Sequence, residues 1–228
     1  MFPTTPPPSQ RLLVFARLPE LGRVKSRIAA TLGDAKALEA YEAMLGDLQL
    51  SIGESTAGTE VEILWAPTPD ANGASLQRAF GHRATAMQTG ATLGDRLSMA
   101  FSERFFFHRT EKIIAIGVDD PSLSRELIDQ AFGLLDSCEW VIGPATDGGY
   151  YLIGCRAAAF EVSVFDEIEW GTDTVLARTL EKIGAMQRTV ALLPHRADLD
   201  RSDDLQQYAA VAPPGALRDL LKEWGWSS

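Results

Sequence analysis

Leu12-Leu13-Val14-Phe15-Ala16 runs without a break into Arg17-Leu18-Pro19-Glu20-Leu21-Gly22-Arg23-Val24-Lys25-Ser26-Arg27. The first five residues show no polar alternation, the pattern of a strand covered on both faces in a parallel sheet. The stretch that follows is basic, with Arg17, Arg23, Lys25 and Arg27 against Glu20 alone, in a chain whose formal net charge is −10.

Similar apolar runs recur at Val61 to Trp65, Ile113 to Gly117 and Trp140 to Gly143. Helical patterns separate them. Asp34 is placed to cap a helix from Ala35 to about Ile52, with Leu38, Tyr41, Leu45 and Leu48 along one face. A second helix is expected from Gly94 to Phe107, and a third after Pro121 with Leu127, Ile128, Ala131, Leu134 and Leu135 on its apolar side. Thr172 with Asp173 opens a fourth that ends near Met186. Strands alternating with helices predict an α/β fold, a mostly parallel sheet with helices on both faces. Tyr150 to Cys155, which follows the Gly148-Gly149 pair, is expected to join that sheet antiparallel.

The length of 228 residues suits one domain over residues 10–228, after a Pro- and Thr-rich tail over residues 1–9. Hydrophobic residues at 46% and charged residues at 23% leave enough apolar material for a core. No apolar run approaches the roughly 18 residues that span a bilayer, and MFPTTPPPSQ lacks the form of a secretory signal. A soluble cytoplasmic protein without a membrane partner is therefore expected. Cys138 and Cys155 lack metal-ligand spacing and read as free thiols. The acidic balance argues against a nucleic-acid partner, because phosphate neutralisation supplies most of that affinity.

Ligands of parallel sheets sit at the carboxyl ends of the strands, so acids and cations just beyond the apolar runs are the candidates for chemistry. Gly22 lets the backbone approach a ligand, and Arg23, Lys25, Ser26 and Arg27 then open a helix, an arrangement suited to a polyphosphate. A solvated basic turn fits the charges equally well. The segment is not a P-loop, since it has no adjacent Gly-Lys, and no GxGxxG follows any strand. After the third run come Asp119 and Asp120, whose carboxylates suit a hard divalent cation, or which act as a turn residue and a helix cap. Asp198 and Asp200, two positions apart near the C-terminus, carry the same two readings. Asp147, beside Gly148-Gly149, can meet an acceptor or a metal, or simply bond its own turn. Gln88, Gly90 and Gly94 precede a helix, where the glycines allow close approach of a base or ribose, or form an ordinary capped loop. His82, His108 and His195 are scattered, and no GxSxG occurs.

The stretches FARLPELGRVKSRI, QTGATLGDRL, IGVDDPSL, GPATDGGYYLIG, EWGTDTVL and DLDRSDDL occur in that order from about Leu12 to Leu205. Together they resemble the bacterial DUF2064 family of GT-A-like proteins, which is similar to glycosyltransferases and to the phospholactate and molybdenum-cofactor guanylyltransferases. The resemblance implies a GT-A fold, a nucleotide over the first loop, a Mg²⁺ or Mn²⁺ ion on Asp119 and a second carboxylate at Asp200, with Asp120 and Asp198 as further metal or supporting acids. The chain departs from the family at Val118, Asp120 and Thr92, and Ser26 stands where threonine is frequent. Three functions follow as expectations. The first is metal-dependent glycosyl transfer from a nucleoside diphosphate sugar to a small-molecule acceptor, with Asp147 or, second, Glu169 as base. The others are nucleotidyl transfer with release of pyrophosphate, and a non-catalytic nucleotide-binding regulator.

Overall fold

The computed structural model describes residues 9–56, 58–69 and 71–226. Of the expected tail only Ser9 falls among them. Its carbonyl accepts the amides of Glu111 and Lys112 at 2.9 and 3.0 Å, which ties the chain's entry to the sheet. The remaining tail positions, 1–8, lie outside the described residues.

Seven strands form one sheet: β1 (Gln10–Ala16), β2 (Thr59–Trp65), β3 (Ala84–Met87), β4 (Lys112–Ile116), β5 (Trp140–Pro144), β6 (Tyr150–Arg156) and β7 (Val190–Leu192). Their order is β3-β2-β1-β4-β6-β5-β7. All pairings are parallel except those of β6, which runs antiparallel to both β4 and β5. The short connection from β5 to β6 explains that direction, since a parallel crossover needs a dozen residues or more.

Two helical layers cover the sheet, and the alternation along β1 assigns residues to each. Leu12, Val14 and Ala16 face α2 (Asp34–Ile52), α3 (Gly73–Phe80) and α5 (Arg125–Leu134), packing with Tyr41, Leu45, Leu48, Phe80, Ile128 and Phe132. Leu13 and Phe15 face α4 (Leu93–Phe106) and α6 (Val175–Ala185), packing with Leu97, Phe101 and Ile183. Burial on both sides is why the strand shows no polar period. The expected face of α2 is present, but the helix is buried on a second side as well. Ala37, Ala40 and Met44 meet Ile28 of α1 (Ser26–Leu32), Leu205 of α7 (Ser202–Ala209), and Leu217 and Leu221 of α8 (Ala216–Glu223).

Helix boundaries differ from expectation for local reasons. Gly33, at φ 84°, is the N-cap of α2, and Asp34 is its first helical residue, where the acid complements the helix dipole instead of capping. Thr92 caps α4 through a reciprocal box with Asp95, so the helix starts one residue before Gly94. Thr172 does not cap α6, because its hydroxyl donates to the Glu169 carbonyl at 2.8 Å and the helix begins at Val175. Among the described residues no helix is long and apolar enough to cross a membrane. Cys138 and Cys155 are free thiols, and burial pushes the Cys155 thiol well up.

Candidate active site

A cleft of about 800 Å³ opens at the carboxyl end of the sheet, a volume typical of small-ligand sites. The loop after β1 forms one wall. Gly22, at φ 71°, supplies a left-handed turn, and Lys25 adopts φ 47° and ψ 49° at the N-cap of α1. A non-glycine residue held there costs roughly 1–2 kcal/mol of backbone energy, a strain that tends to collect at functional positions.

The Lys25 side chain, only 4% exposed, accounts for keeping that conformation. Its Nζ donates to Asp119 Oδ1 at 2.6 Å, to the Leu199 carbonyl at 2.6 Å and to Asp200 Oδ1 at 3.1 Å. Arg27 Nη1 donates to Asp200 Oδ2 at 3.1 Å. The structure thus brings Lys25, Arg27, Asp119 and Asp200 to one point, although the two acids come from segments following different strands. The loop is fixed from below by Tyr41, whose buried hydroxyl accepts the Arg17 amide at 2.8 Å and donates to the Arg17 carbonyl at 3.0 Å. Burial pushes that phenol up beyond its ordinary range.

A clasp holds the two acid-bearing segments together. Arg196 Nε donates to Asp120 Oδ2, and Nη2 to the Ser122 carbonyl at 3.2 Å. The other Asp120 oxygen accepts the Ser122 amide at 3.0 Å and its hydroxyl at 2.6 Å. The Leu199 amide donates to the Asp119 carbonyl at 2.9 Å. Of the two roles expected of Asp120, its contacts are those of a supporting acid, because both its oxygens are engaged within the protein. Breaking a pair around so deeply buried a carboxylate costs about 3 kcal/mol or more. Arg196→Met is accordingly expected to lower the free energy of unfolding by that amount, read as a lower urea midpoint, and to loosen Asp119 relative to Asp200.

Asp198 sits in the same electrostatic field. Burial first, and then the charges of Asp119, Asp147 and Asp200, push its carboxyl up to about 7 against the opposing pull of Lys25. Of these acids Asp119 and Asp200 contact the enclosed ammonium, whereas Asp147 and Asp198 are not among the residues that border the cleft. Among the described residues, no group of three or more His, Cys, Asp or Glu is arranged to hold a metal ion unaided. A divalent ion here fits a different donor set. Mg²⁺ commonly takes one or two carboxylates and completes its shell with substrate phosphates and water. Two carboxylate oxygens and a carbonyl already surround a cation at that spot.

Other expected positions have different roles. Gln88 is buried, and its Nε2 donates to the Leu64 and Ala16 carbonyls at 2.6 and 3.3 Å, so it braces β1 against β2 although it borders the cleft. Gly90 and Gly94 are not among the residues bordering the cleft. A Cβ on Gly90 would lie 2.6 Å from Asp95 Cβ, and one on Gly94 would lie 2.6 Å from the Phe165 carbonyl and 2.8 Å from Trp170 Nε1. Their missing side chains admit α4 to its neighbours, which by itself accounts for glycine at both positions. Glu169 is exposed and outside the lining, with its carbonyl closing a turn onto Thr172. Asp147 is exposed, and its Oδ1 accepts the Gly149 amide at 2.9 Å. Arg23 and Ser26 border the cleft, and Arg23 pairs with Glu20 at 3.4 Å.

The model of the family described as an uncharacterized protein conserved in bacteria, DUF2064, matches residues 52–172, just over half of the chain. The chain belongs to this family. None of the curated proteins matches the sequence. A crystal structure from Desulfovibrio desulfuricans G20, provisionally named a nucleotide-diphospho-sugar transferase, superposes with a TM-score of 0.89. It is 29% identical, with 95% of each chain covered. A cytidylyltransferase from Leptospira borgpetersenii serovar Hardjo-bovis reaches a TM-score of 0.59 at 12% identity, covering 96% of this chain and 95% of its own. The inositol-1-phosphate CTP transferase of T. maritima reaches 0.50 at 12% identity, covering 95% and 98%. The architecture is therefore that of the nucleotide-diphospho-sugar transferases, the GT-A-like fold.

In this DUF2064 protein Lys25, Arg27, Asp198 and Asp200 lie outside the matched stretch, so their convergence is a finding of the tertiary structure. Arg196 and the Leu199 carbonyl were invisible to sequence reasoning. The one hint was an acid at Asp120 that, once buried, demands a cationic partner. The turn bearing Asp147 depends on Gly148, at φ 89°, where a Cβ would lie 2.2 Å from the Asp173 carbonyl oxygen. Gly148→Ala is expected to cost about 3 kcal/mol, combining left-handed strain with overpacking, read as a lower midpoint of urea unfolding.

Proposed function

We propose that this DUF2064 protein is a glycosyltransferase that takes a sugar from a nucleoside diphosphate donor in the presence of Mg²⁺ or Mn²⁺ on Asp119 and Asp200. The observation that carries this reading is the enclosed Lys25 ammonium, which contacts Asp119, Asp200 and the Leu199 carbonyl within the cleft. An ammonium among oxygen donors stands where a divalent cation would sit. The 29%-identical Desulfovibrio relative, covered over 95% of both chains, supports the sugar-donor class.

A cation bound there would neutralise charge growing on the departing diphosphate. Arg27 and the displaced Lys25 lie close enough to the same acids to turn toward phosphate oxygens, adding donors prepared in advance for that charge. Arg17 and Arg23, which also line the cleft, extend the positive wall along a diphosphate. Asp147, exposed and within the field of the acid cluster, is the proposed base for the acceptor hydroxyl.

The test is a product panel. Purified protein is incubated with Mn²⁺ and, separately, with nucleoside diphosphate sugars and nucleoside triphosphates. Release of nucleoside diphosphate from a sugar donor is the expected result. Release of pyrophosphate from a triphosphate would instead assign nucleotidyl transfer, and nucleotide binding without either product would make the protein a non-catalytic nucleotide binder.

A further inference from the structure

The cleft continues from the acids and cations to the carboxyl ends of β2 and β3. Ala66, Pro67, Thr68 and Gln88 border it there, and Leu93 and Arg96 of α4 close it. Sheet order sets how far this end lies from the acids. Gln88 follows β3 and Asp119 follows β4, so the order β3-β2-β1-β4 places three strand spacings, about 14 Å, between them. A nucleoside diphosphate has that reach from its outer phosphate to the far edge of its base. Phosphates held over Asp119, Lys25 and Arg27 therefore bring the base edge to Gln88 and Arg96.

Three polar side chains meet it there. Gln88 spends its Nε2 protons on the Leu64 and Ala16 carbonyls at 2.6 and 3.3 Å, which turns its Oε1 toward Arg96 Nη1 at 3.5 Å. Thr68 donates its hydroxyl proton to Glu20 Oε2 at 2.8 Å. Arg96 Nε donates to the Gly90 carbonyl at 3.1 Å, which anchors the guanidinium, and its Nη2 has no partner among the described residues. Nor does a carboxylate among them pair with Arg96, whereas Arg23 and Arg27 in the same cleft each meet an acid. The side-chain protons still available at this end are thus those of one fixed fork. Such a fork matches two acceptors lying side by side in one plane. Guanine presents that pair in O6 and N7, whereas adenine sets an amino donor beside N7 and the pyrimidines have no ring acceptor on that edge.

We infer that Arg96 selects the base and that the nucleotide taken by this site carries guanine, held through O6 and N7. Pro67 and Leu93, both exposed, supply apolar surface for the faces of the ring. The inference rests on the nucleotide-donor reading and adds to it the identity of the base.

Calorimetry of the full chain with Mn²⁺ compares the diphosphates of guanosine, inosine, 7-deazaguanosine, adenosine, uridine and cytidine. The first two share O6 and N7 and are expected to bind within about threefold of each other, with the other four about tenfold or more weaker, the usual effect of spoiling a bidentate pair. In Arg96→Leu all six are expected to fall within about threefold of one another, through weaker binding of the first two alone, and Arg96→Lys keeps part of the preference. Near-ultraviolet circular dichroism checks that each variant is folded. An Arg96 that only steadies the Gly90 turn would instead weaken all six alike in the variant. That result, a wild-type preference for another base, or full affinity for the 7-deaza compound would overturn the inference and leave the transferase reading standing. If wild-type protein binds none of the six, the transferase reading fails and base selection falls with it.

Discussion

Asp119→Asn is expected to lower turnover with the donor found by the panel by about a thousandfold, because on the proposed function loss of one anionic ligand would remove roughly 4 kcal/mol of charge stabilisation from the transition state. The substitution is chosen to isolate charge from shape. An Asn carbonyl oxygen can still accept from Lys25, and the backbone bond from the Leu199 amide to the residue 119 carbonyl at 2.9 Å is untouched. Because the Asp119 side chain is 51% exposed, thermal stability should stay within about 0.5 kcal/mol of wild type. Steady-state kinetics across a Mn²⁺ series, with a parallel melt, separates the two effects. Turnover within tenfold of wild type and an unchanged Mn²⁺ requirement would remove Asp119 from the site.

Lys25→Met divides binding from catalysis in opposite directions. In the free protein the ammonium competes with any divalent ion for Asp119, Asp200 and the Leu199 carbonyl. Its removal is expected to raise Mn²⁺ affinity measured without nucleotide, since two carboxylates lose their internal counter-charge. Turnover should nonetheless fall by about 10²–10³, the usual effect of deleting one prepositioned donor to a developing charge. A calorimetric Mn²⁺ titration and kinetics on the same preparation decide the matter. If Mn²⁺ binds no more tightly to the variant, Lys25 does not occupy the cation position. Lys25→Gly is a useful companion, because glycine accepts φ 47° without strain. It should lose turnover similarly while recovering backbone energy.

In the free protein Asp119 and Asp200 are neutralised by Lys25 and Arg27. Asp198 shows their repulsion, with its carboxyl pushed up to about 7 by burial and by Asp119, Asp147 and Asp200. Lys25 relieves that repulsion until ligands arrive, so donor and cation are expected to bind with positive coupling, each removing a reason for Lys25 to remain on the acids.

Much of the architecture was legible from the chain. Runs such as Leu12 to Ala16 and Ile113 to Gly117 have no polar period because helices lie on both sheet faces, so apolarity alone marked them as interior strands. The antiparallel entry of Tyr150 to Cys155 followed from the brevity of its connection. The strands β3 and β7 were not legible. Ala84–Met87 is largely exposed at a sheet edge, and Val190–Leu192 is three residues long, so neither carries enough apolar pattern to stand out. The second buried face of α2 was hidden because alanines, Ala37 and Ala40, supply much of it.

At the site, the residue types and their places at strand ends were written in the sequence: a basic loop after the first apolar run, an acid pair after the third, and acids near the C-terminus. What the sequence determined was local, because strand ends, helix caps and turn glycines depend on neighbours a few positions away. Only the tertiary structure decided which acid faces Lys25 and which is spent on Arg196, and that Gly90 and Gly94 pack closely against their neighbours in and beyond α4. Asp119 and Asp120 are adjacent and chemically identical, yet one is half exposed in the cleft and the other is 4% exposed in a clasp. The physical reason is that a carboxylate's role is set by its burial and its counter-charge, and both come from segments far away in the chain.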